Sequence, residues 1–347
     1  MASVDVTVRG AGAFGLSVAW ACTLRGARVR VVDPFGPGAG ASGGIVGALA
    51  PHVPENWNPK KAFQRDSLLM AQAFWAGVEA AGGLSTGYGR LGRLQPIMDE
   101  AGLALARQRG LGAQDLWLGK ASWEIVEAAT AAPFAPQSPT GFLIHDTLSG
   151  RLHPRRACDA LVAALRVRGG DIVTEAYDEG AVVWATGWRG LLELTDALGR
   201  KIGDGVKGQA VLLRHDARDA PQLYAGGLHI IPHSDGTLAI GSTSERDFDD
   251  PTATDTQTDD LIARACDALP VLRGAEILQR WAGVRPRARS RAPLLGPWPG
   301  RAGHYIANGG FKIGFGMAPK VAEVMADLIL TGQDSIPEGF RVEELTR

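Results

Sequence analysis

The chain has 347 residues, 45% hydrophobic and 21% charged, with a formal net charge of −1. This is ordinary for a soluble globular protein of about two domains, and it gives no electrostatic basis for a nucleic-acid partner or an anionic membrane surface. No apolar run reaches the ~18 residues of a membrane span, and no leader pattern precedes the first strand, so the expectation is a cytoplasmic protein. Cys22, Cys158 and Cys266 lie far apart. They show neither metal-ligand spacing nor a disulfide framework, and they read as buried thiols in a reducing compartment.

Residues 4–9 form a β-rich run that leads straight into Gly10-x-Gly12-x-x-Gly15. A helix is predicted over 16–25, and a second strand over 27–33 ends in Asp33. Each part has a physical task. Gly10 permits the tight turn, Gly12 lets a pyrophosphate approach the backbone, and Gly15 lets the helix pack close to the strand. The helix N-terminus offers free N–H groups and the positive end of its dipole to phosphates. Asp33, about 20 residues on, can accept hydrogen bonds from a ribose hydroxyl. With 46 glycines in the chain, a chance match to the triplet is easy. The strand–loop–helix–strand context is what makes this one a dinucleotide-binding fingerprint.

Residues 34–59 are rich in Gly, Ala, Pro and Ser and have no period. Phe63, Leu69, Phe74 and Val78 mark an amphipathic helix over 60–81, stopped by Gly82 and Gly83. A strand is predicted over 90–98, a short helix over 99–110, and a linker over 131–140, where Pro133, Pro136 and Pro139 cluster. A helix over 154–169 follows. The continuous apolar run 181–187 suits a strand buried on both faces of a parallel sheet. Alternating runs at 209–214, 228–232 and 237–241 read as antiparallel strands, the last two joined by a turn at 233–236. Residues 247–260 read as a solvated acidic loop and helix start. A short strand at 304–307 leads into a second glycine-rich loop, 308–316, and an amphipathic helix over 318–330. Nucleotide-binding elements therefore recur at the start, middle and end of the chain. A plain nicotinamide dehydrogenase leaves the late loop unexplained; a larger dinucleotide with two ends to hold accounts for it.

Taken together in this order, the motifs resemble the FAD-dependent amine oxidases of the D-amino acid oxidase, glycine oxidase and sarcosine oxidase superfamily, over nearly the whole length. The resemblance implies that Gly10, Gly12, Ala13, Phe14, Gly15, Asp33 and Pro34 hold the adenosine and pyrophosphate. Ala41, Ser42 and Gly43, with Gly47, Ala48 and Leu49, are similar to the segment that wraps the pyrophosphate and reaches the isoalloxazine. Ala185, Thr186, Gly187 and Trp188 resemble the strand end near the ribityl chain. Trp281 to Pro286 (WAGVRP) is close to a family motif whose Arg, here Arg285, binds substrate carboxylate. Gly309, Gly310, Phe311, Lys312 and Ile313 match the loop that holds the flavin pyrimidine. Three departures stand out. Residues 287–291 contain no Cys, so the flavin is expected to be non-covalent. Ala239 stands where the sarcosine oxidase branch has a Lys for oxygen activation. Residues 170–181 are short where the family has a β-meander, leaving Val173 for the adenine contact.

The implied architecture is α/β with added antiparallel β: a discontinuous Rossmann-like FAD-binding domain (1–54, 141–207 and 281–347) with an inserted α+β substrate domain (55–140 and 208–280). The implied function is oxidation of the C–N bond of a small amino acid or secondary amine, by hydride transfer to flavin N5, with oxygen or another electron acceptor. A dehydrogenase using a non-oxygen acceptor and a non-catalytic flavoprotein subunit stand as alternatives. Arg285 is the expected carboxylate grip. Lys312 either steadies charge on the flavin through its amide or points its ammonium into the pocket. His229 sits where related enzymes use a Tyr against substrate, on one strand face with His233 by the two-residue period. His52 follows the flavin-contacting segment. No His/Cys/Asp/Glu cluster has metal-ligand spacing, and no G-x-S-x-G elbow supports nucleophilic catalysis.

Overall fold

A computed structural model of the chain describes residues 3–346. β1 (Val6–Arg9), α1 (Ala13–Leu24) and β2 (Val29–Val32) open the fold, and the glycine-rich stretch leads to a short β3 (Ala48–Leu49). Next come α2 (Pro59–Gly82), β4 (Arg93–Pro96), α3 (Glu100–Leu116), β5 (Trp123–Glu127), β6 (Phe142–Asp146) and β7 (Gly150–Arg151). The middle supplies α4 (Pro154–Val167), β8 (Asp171–Val173), β9 (Ala181–Trp184), α5 (Gly187–Leu198) and β10 (Gly203–Arg214). β11 (Gln222–Ala225), β12 (Leu228–Pro232), β13 (Thr237–Gly241), α6 (Gln257–Ala268) and β14 (Ile277–Ala288) follow. The chain closes with β15 (Leu294–Pro297), β16 (His304–Asn308), α7 (Gly314–Thr331) and α8 (Val342–Thr346).

One sheet has the order β15–β16–β9–β1–β2–β8, parallel throughout except for the β15/β16 pair. Its central strands are valine-rich, and Val6, Val8 and Val183 are fully buried, as expected for strands covered on both faces. The other sheet runs β14–β10–β13–β12–β11–β4–β6–β5, antiparallel except at β4/β11. β10 and β14 pair over most of their length, from Gly203 opposite Ala288 to Leu213 opposite Ile277.

α1 is apolar almost all round, because it lies between the parallel sheet and neighbouring helices rather than at the surface. α2 starts where Asn58 accepts a hydrogen bond from the Lys61 N–H, and it ends at Gly83, whose φ of +68° suits a left-handed cap. Leu68, Trp75 and Val78 of α2 enter the same core as α1 and α7. The division by chain segment is therefore finer than the boundaries expected from sequence. α2 belongs to the core beside the parallel sheet, while β6, just after residue 141, pairs into the antiparallel sheet.

Several elements differ from expectation for identifiable reasons. α3 runs past Gly110 to Leu116. A Cβ on Gly110 would stand 3.2 Å from the Trp123 carbonyl oxygen, so this glycine admits β5 and does not stop the helix. Residues 131–140 are a packed loop and not a free linker: Phe134 is buried in the antiparallel-sheet core with Leu94 and Leu223. β5 and α5 carried no periodicity strong enough to predict them. β10 begins at Gly203, six residues ahead of the alternating run. Of the cysteines, Cys22 and Cys158 are buried, and burial pushes both thiols up to about 12, whereas Cys266 is half-buried. In place of a β-meander, residues 174–180 form a strap tied to the sheet. Arg9 pairs with Asp178 at 2.7 Å, Arg30 with Glu179 at 2.6 Å, and Thr7 Oγ1 donates to the Glu179 carbonyl.

Candidate active site

The N-terminal loop lies at the C-terminal ends of β1 and β9, the usual mouth of such a sheet. Gly10 has φ +106°, and a Cβ there would stand 2.3 Å from the Ala185 oxygen. A Cβ on Gly15 would meet the Gly10 oxygen at 1.9 Å, so strand and helix approach as closely as backbone allows. Asp33 Oδ2 accepts the Ala11 N–H at 2.8 Å and its Oδ1 accepts the Phe35 N–H at 3.0 Å, bracing both flanking turns. Ser42 Oγ accepts the Ala13 N–H at 2.9 Å. Val173 is paired with Val32, and its carbonyl accepts the Asp33 N–H, which places it beside the acid. Pro34 is exposed next to it. Arg155 of α4, not foreseen from sequence, donates to the carbonyls of Pro37 and Gly38 at 2.8 and 3.0 Å and so shapes the turn before Ala41.

The late glycine loop meets this one. A Cβ on Gly310 would stand 2.9 Å from the Phe14 ring. Asn308 Nδ2 donates to the Gly187 carbonyl at 2.9 Å, and Asn308 Oδ1 accepts the Gly309 N–H at 2.7 Å. Trp281 lies against Gly44, where a Cβ would be 3.1 Å from its ring, and the Gly47 carbonyl accepts the Leu152 N–H. Trp188 packs over Gly205. The loops around Gly12, Ser42, Thr186 and Gly310 thus converge, from four distant parts of the chain, on one cleft. Glycine edges where side chains would clash, together with a helix N-terminus, fit a dinucleotide.

Beyond Ala48 the cleft opens into a cavity of about 210 Å³ lined by Ala48, Ala50, Pro51, His52, Gln64, Arg93, Tyr224, His229, Lys312 and Ile313. The structure therefore brings His52, His229 and Lys312 onto the wall of one cavity. Burial, followed by the charges of Arg93 and Lys312, pushes His229 down to about 3, so its ring is neutral. Its Nδ1 is sealed without a partner, which favours a bare lone pair there and a proton on Nε2. Burial also lowers the pKa of His52, reinforced by Lys60 and Lys61 and opposed by its hydrogen bond to Gln64. Partial burial, then the charge of Arg285, lowers that of Lys312. His233 points away from the cavity. Its Nε2 is 3.0 Å from the Ile45 carbonyl oxygen and its ring is 4.7 Å from that of His153.

Arg285 does not line the cavity. It lies across Gly208 and donates to Ser242 Oγ (2.6 Å) and to the carbonyls of Thr243 (2.7 Å) and Lys207 (3.1 Å). Its guanidinium is 5.8 Å from the centre of the Phe311 ring. Burial lowers its pKa to about 10, opposed by Glu245. The cations on the cavity wall are Lys312 and Arg93, and Arg93 was missed because its partner Asp146 lies 53 residues away. The signals available were a charged residue beside Leu94 in a predicted strand, and Gln64 beside Phe63 on the apolar face of a predicted helix. Ala239 is fully buried among Ile45, Ala210 and Ile231. Among the described residues, no His/Cys/Asp/Glu group is arranged to hold a metal ion, and no helix is long and apolar enough to cross a membrane.

These features agree with comparisons to known proteins. The family model for FAD dependent oxidoreductases matches residues 5–328. A glycine oxidase of Pseudomonas aeruginosa is 30% identical over 372 aligned positions, covering 96% of this chain and 96% of its own. In fold, glycine oxidase from Bacillus cereus superposes with a TM-score of 0.82 at 23% identity, covering 95% of this chain and 96% of that one. Iminodiacetate oxidase from Chelativorans sp. gives 0.84 at 19% identity, covering 97% and 98%. The chain belongs to the family of FAD-dependent oxidoreductases.

Proposed function

We propose that this enzyme oxidises the C–N bond of a small amino acid or secondary amine, in the manner named for its glycine oxidase relative. The observation that carries this reading is the small cavity between segment 48–52 and the late glycine loop, walled by two cations and two neutral histidines. FAD, held non-covalently, supplies the acceptor for the hydride that leaves Cα, and the imine product is hydrolysed to the oxo acid.

The protein orients the substrate and moves protons. Lys312 holds the substrate carboxylate from the loop side. His52 presents a bare Nε2 that accepts the amine proton, because Nδ1 is engaged by Gln64 Oε1. His229 donates from Nε2. Arg285, with both Nη atoms bonded to β10 and to residues 242–243 and its Nε buried without a partner, fixes the strand beneath Phe311, and its Nη atoms reach a carboxylate only by giving up those bonds. In the cradle, Gly12, Ala13 and Ser42 face the pyrophosphate, Asp33 and Val173 the adenosine, Ala185 and Thr186 the ribityl chain, and Gly309, Gly310 and Ile313 the pyrimidine. The free cysteines support a reducing, cytoplasmic setting.

A screen of amino acids and N-methyl amines for anaerobic bleaching of the purified yellow protein tests this reading. Protein that binds FAD but is bleached by none of them would refute it. The buried Ala239 favours an acceptor other than oxygen as a second reading. Dye reduction under air without release of hydrogen peroxide distinguishes that case.

A further inference from the structure

Arg93 is buried, with its side chain 7% exposed, and it pairs end-on with Asp146, which is fully buried. The pair is a single bond, Nε to Oδ2 at 2.8 Å, and the other carboxylate oxygen of Asp146 accepts the Ser149 N–H at 2.9 Å. A guanidinium placed only to satisfy a buried acid would meet it with two parallel bonds. Here the Nη fork makes no protein hydrogen bond among the described residues, and the side chain lines the cavity. A buried cation with its bidentate face unmatched is costly unless a ligand completes it.

The rest of the wall has the same polarity. No Asp or Glu lines the cavity. Gln64 has both ends engaged by His52 and Ala50. Lys312, Arg93, the Nε2 of His229 and the Tyr224 hydroxyl remain as donors, the Tyr224 ring lying 4.9 Å from that of His229. A monocarboxylate on Lys312 leaves the Arg93 fork empty.

Building on the proposed amine oxidation, we infer that the preferred substrate is an amino dicarboxylate, one carboxylate held by Lys312 and the second received by the Nη fork of Arg93. Either a side-chain carboxylate or an N-carboxymethyl group meets this description, and the choice of probes separates them.

The test is anaerobic reduction of the FAD-loaded enzyme by glycine, sarcosine, each enantiomer of aspartate, and iminodiacetate. The expected result is a kcat/KM at least ~100-fold higher for a dicarboxylate than for the monocarboxylates, as a site built around a polar group rejects analogues that lack it. In Arg93→Gln the dicarboxylate value should fall at least about tenfold further than the monocarboxylate values, with FAD content unchanged. Equal rates for the two classes, or an equal fall for both in the variant, would overturn the inference. Since Arg93→Gln strands a buried carboxylate, a second measurement uses the unmodified enzyme: titration with malonate, succinate and acetate, read as perturbation of the flavin absorbance. Dicarboxylates should bind at least tenfold tighter than acetate. Parity there rejects the Arg93 subsite. Tight dicarboxylate binding with no bleaching by any amine would instead reject the proposed reaction and leave the subsite standing.

Discussion

Gln64 Oε1 accepts two hydrogen bonds from one residue, the backbone N–H of His52 at 2.8 Å and its ring Nδ1–H. The amide's other end donates to the Ala50 carbonyl at 3.0 Å, which fixes which way it points. One polar side chain on the buried face of α2 thereby sets the tautomer of His52 and leaves Nε2 as the acceptor facing the cavity. His52→Ala should lower the rate of flavin reduction by roughly 100-fold with FAD still bound. Only the unprotonated ring accepts a proton, so activity rises with pH through the His52 pKa, below the ordinary value. Gln64 opposes that lowering. In Gln64→Leu the acid limb should therefore move to still lower pH, and a limb that stays in place would remove His52 from the proton path.

The meeting of Phe14 with Gly310 can be tested as a pair. A methyl group on Gly310 stands 2.9 Å from the ring and 3.0 Å from the Gly314 Cα. Gly310→Ala should cost about 1–3 kcal/mol, typical of overpacking, and release FAD on desalting. Phe14→Leu in the same chain should recover part of both losses. Double-mutant-cycle coupling below about 0.5 kcal/mol would mean that the two loops do not share a wall.

The cofactor half of the site was legible because its logic is local. Gly10, Gly15 and Asp33 stand within one strand–turn–helix–strand unit, and the clash of a Cβ on Gly15 with the Gly10 oxygen is settled by that unit alone. The substrate half is written across the sheet. Arg285 belongs to a readable motif, but where its guanidinium points is decided by Thr243 and Lys207 on neighbouring segments. Arg93 gains meaning only from Asp146, and Gln64 only from the segment at 50–52. The helix expected over 99–110 runs on to Leu116, and the role of Gly110 is tertiary, giving room to Trp123.

Arg285 and Lys312 should separate by the kind of defect each produces. Arg285→Ala removes three part-buried hydrogen bonds, to Ser242 and to the carbonyls of Thr243 and Lys207, of which only the Lys207 carbonyl keeps another donor, the Glu245 N–H; each lost bond is worth about 0.5–1.5 kcal/mol. It should lower the melting temperature and disturb FAD retention as well as catalysis. Among the described residues Lys312 makes no hydrogen bond, so Lys312→Met should raise KM by about tenfold or more while stability and FAD content hold. If instead Arg285→Ala folds and melts normally and changes only KM, the carboxylate grip belongs to Arg285.

Acid sensitivity should follow from the buried histidines. Burial holds His229 at about 3 and His233 at about 4, and it lowers His52 and His153 as well. His233 faces His153, Asp235 and Arg151. In the unfolded chain these rings titrate near 6.5. Below that pH the unfolded state takes up protons that the folded state refuses. The stabilisation from neutral rings is therefore complete above about pH 6.5 and is lost as pH falls toward the folded values, at up to about 1.4 kcal/mol per pH unit for each ring. Urea denaturation at pH 7.5, 6.5 and 5.5 should show ΔG falling over the last step, before most carboxylates protonate. His233→Gln, which keeps a donor for the Ile45 carbonyl, should make that fall shallower. A ΔG unchanged between pH 7.5 and 5.5 would show that the buried rings are protonated as readily in the fold as outside it.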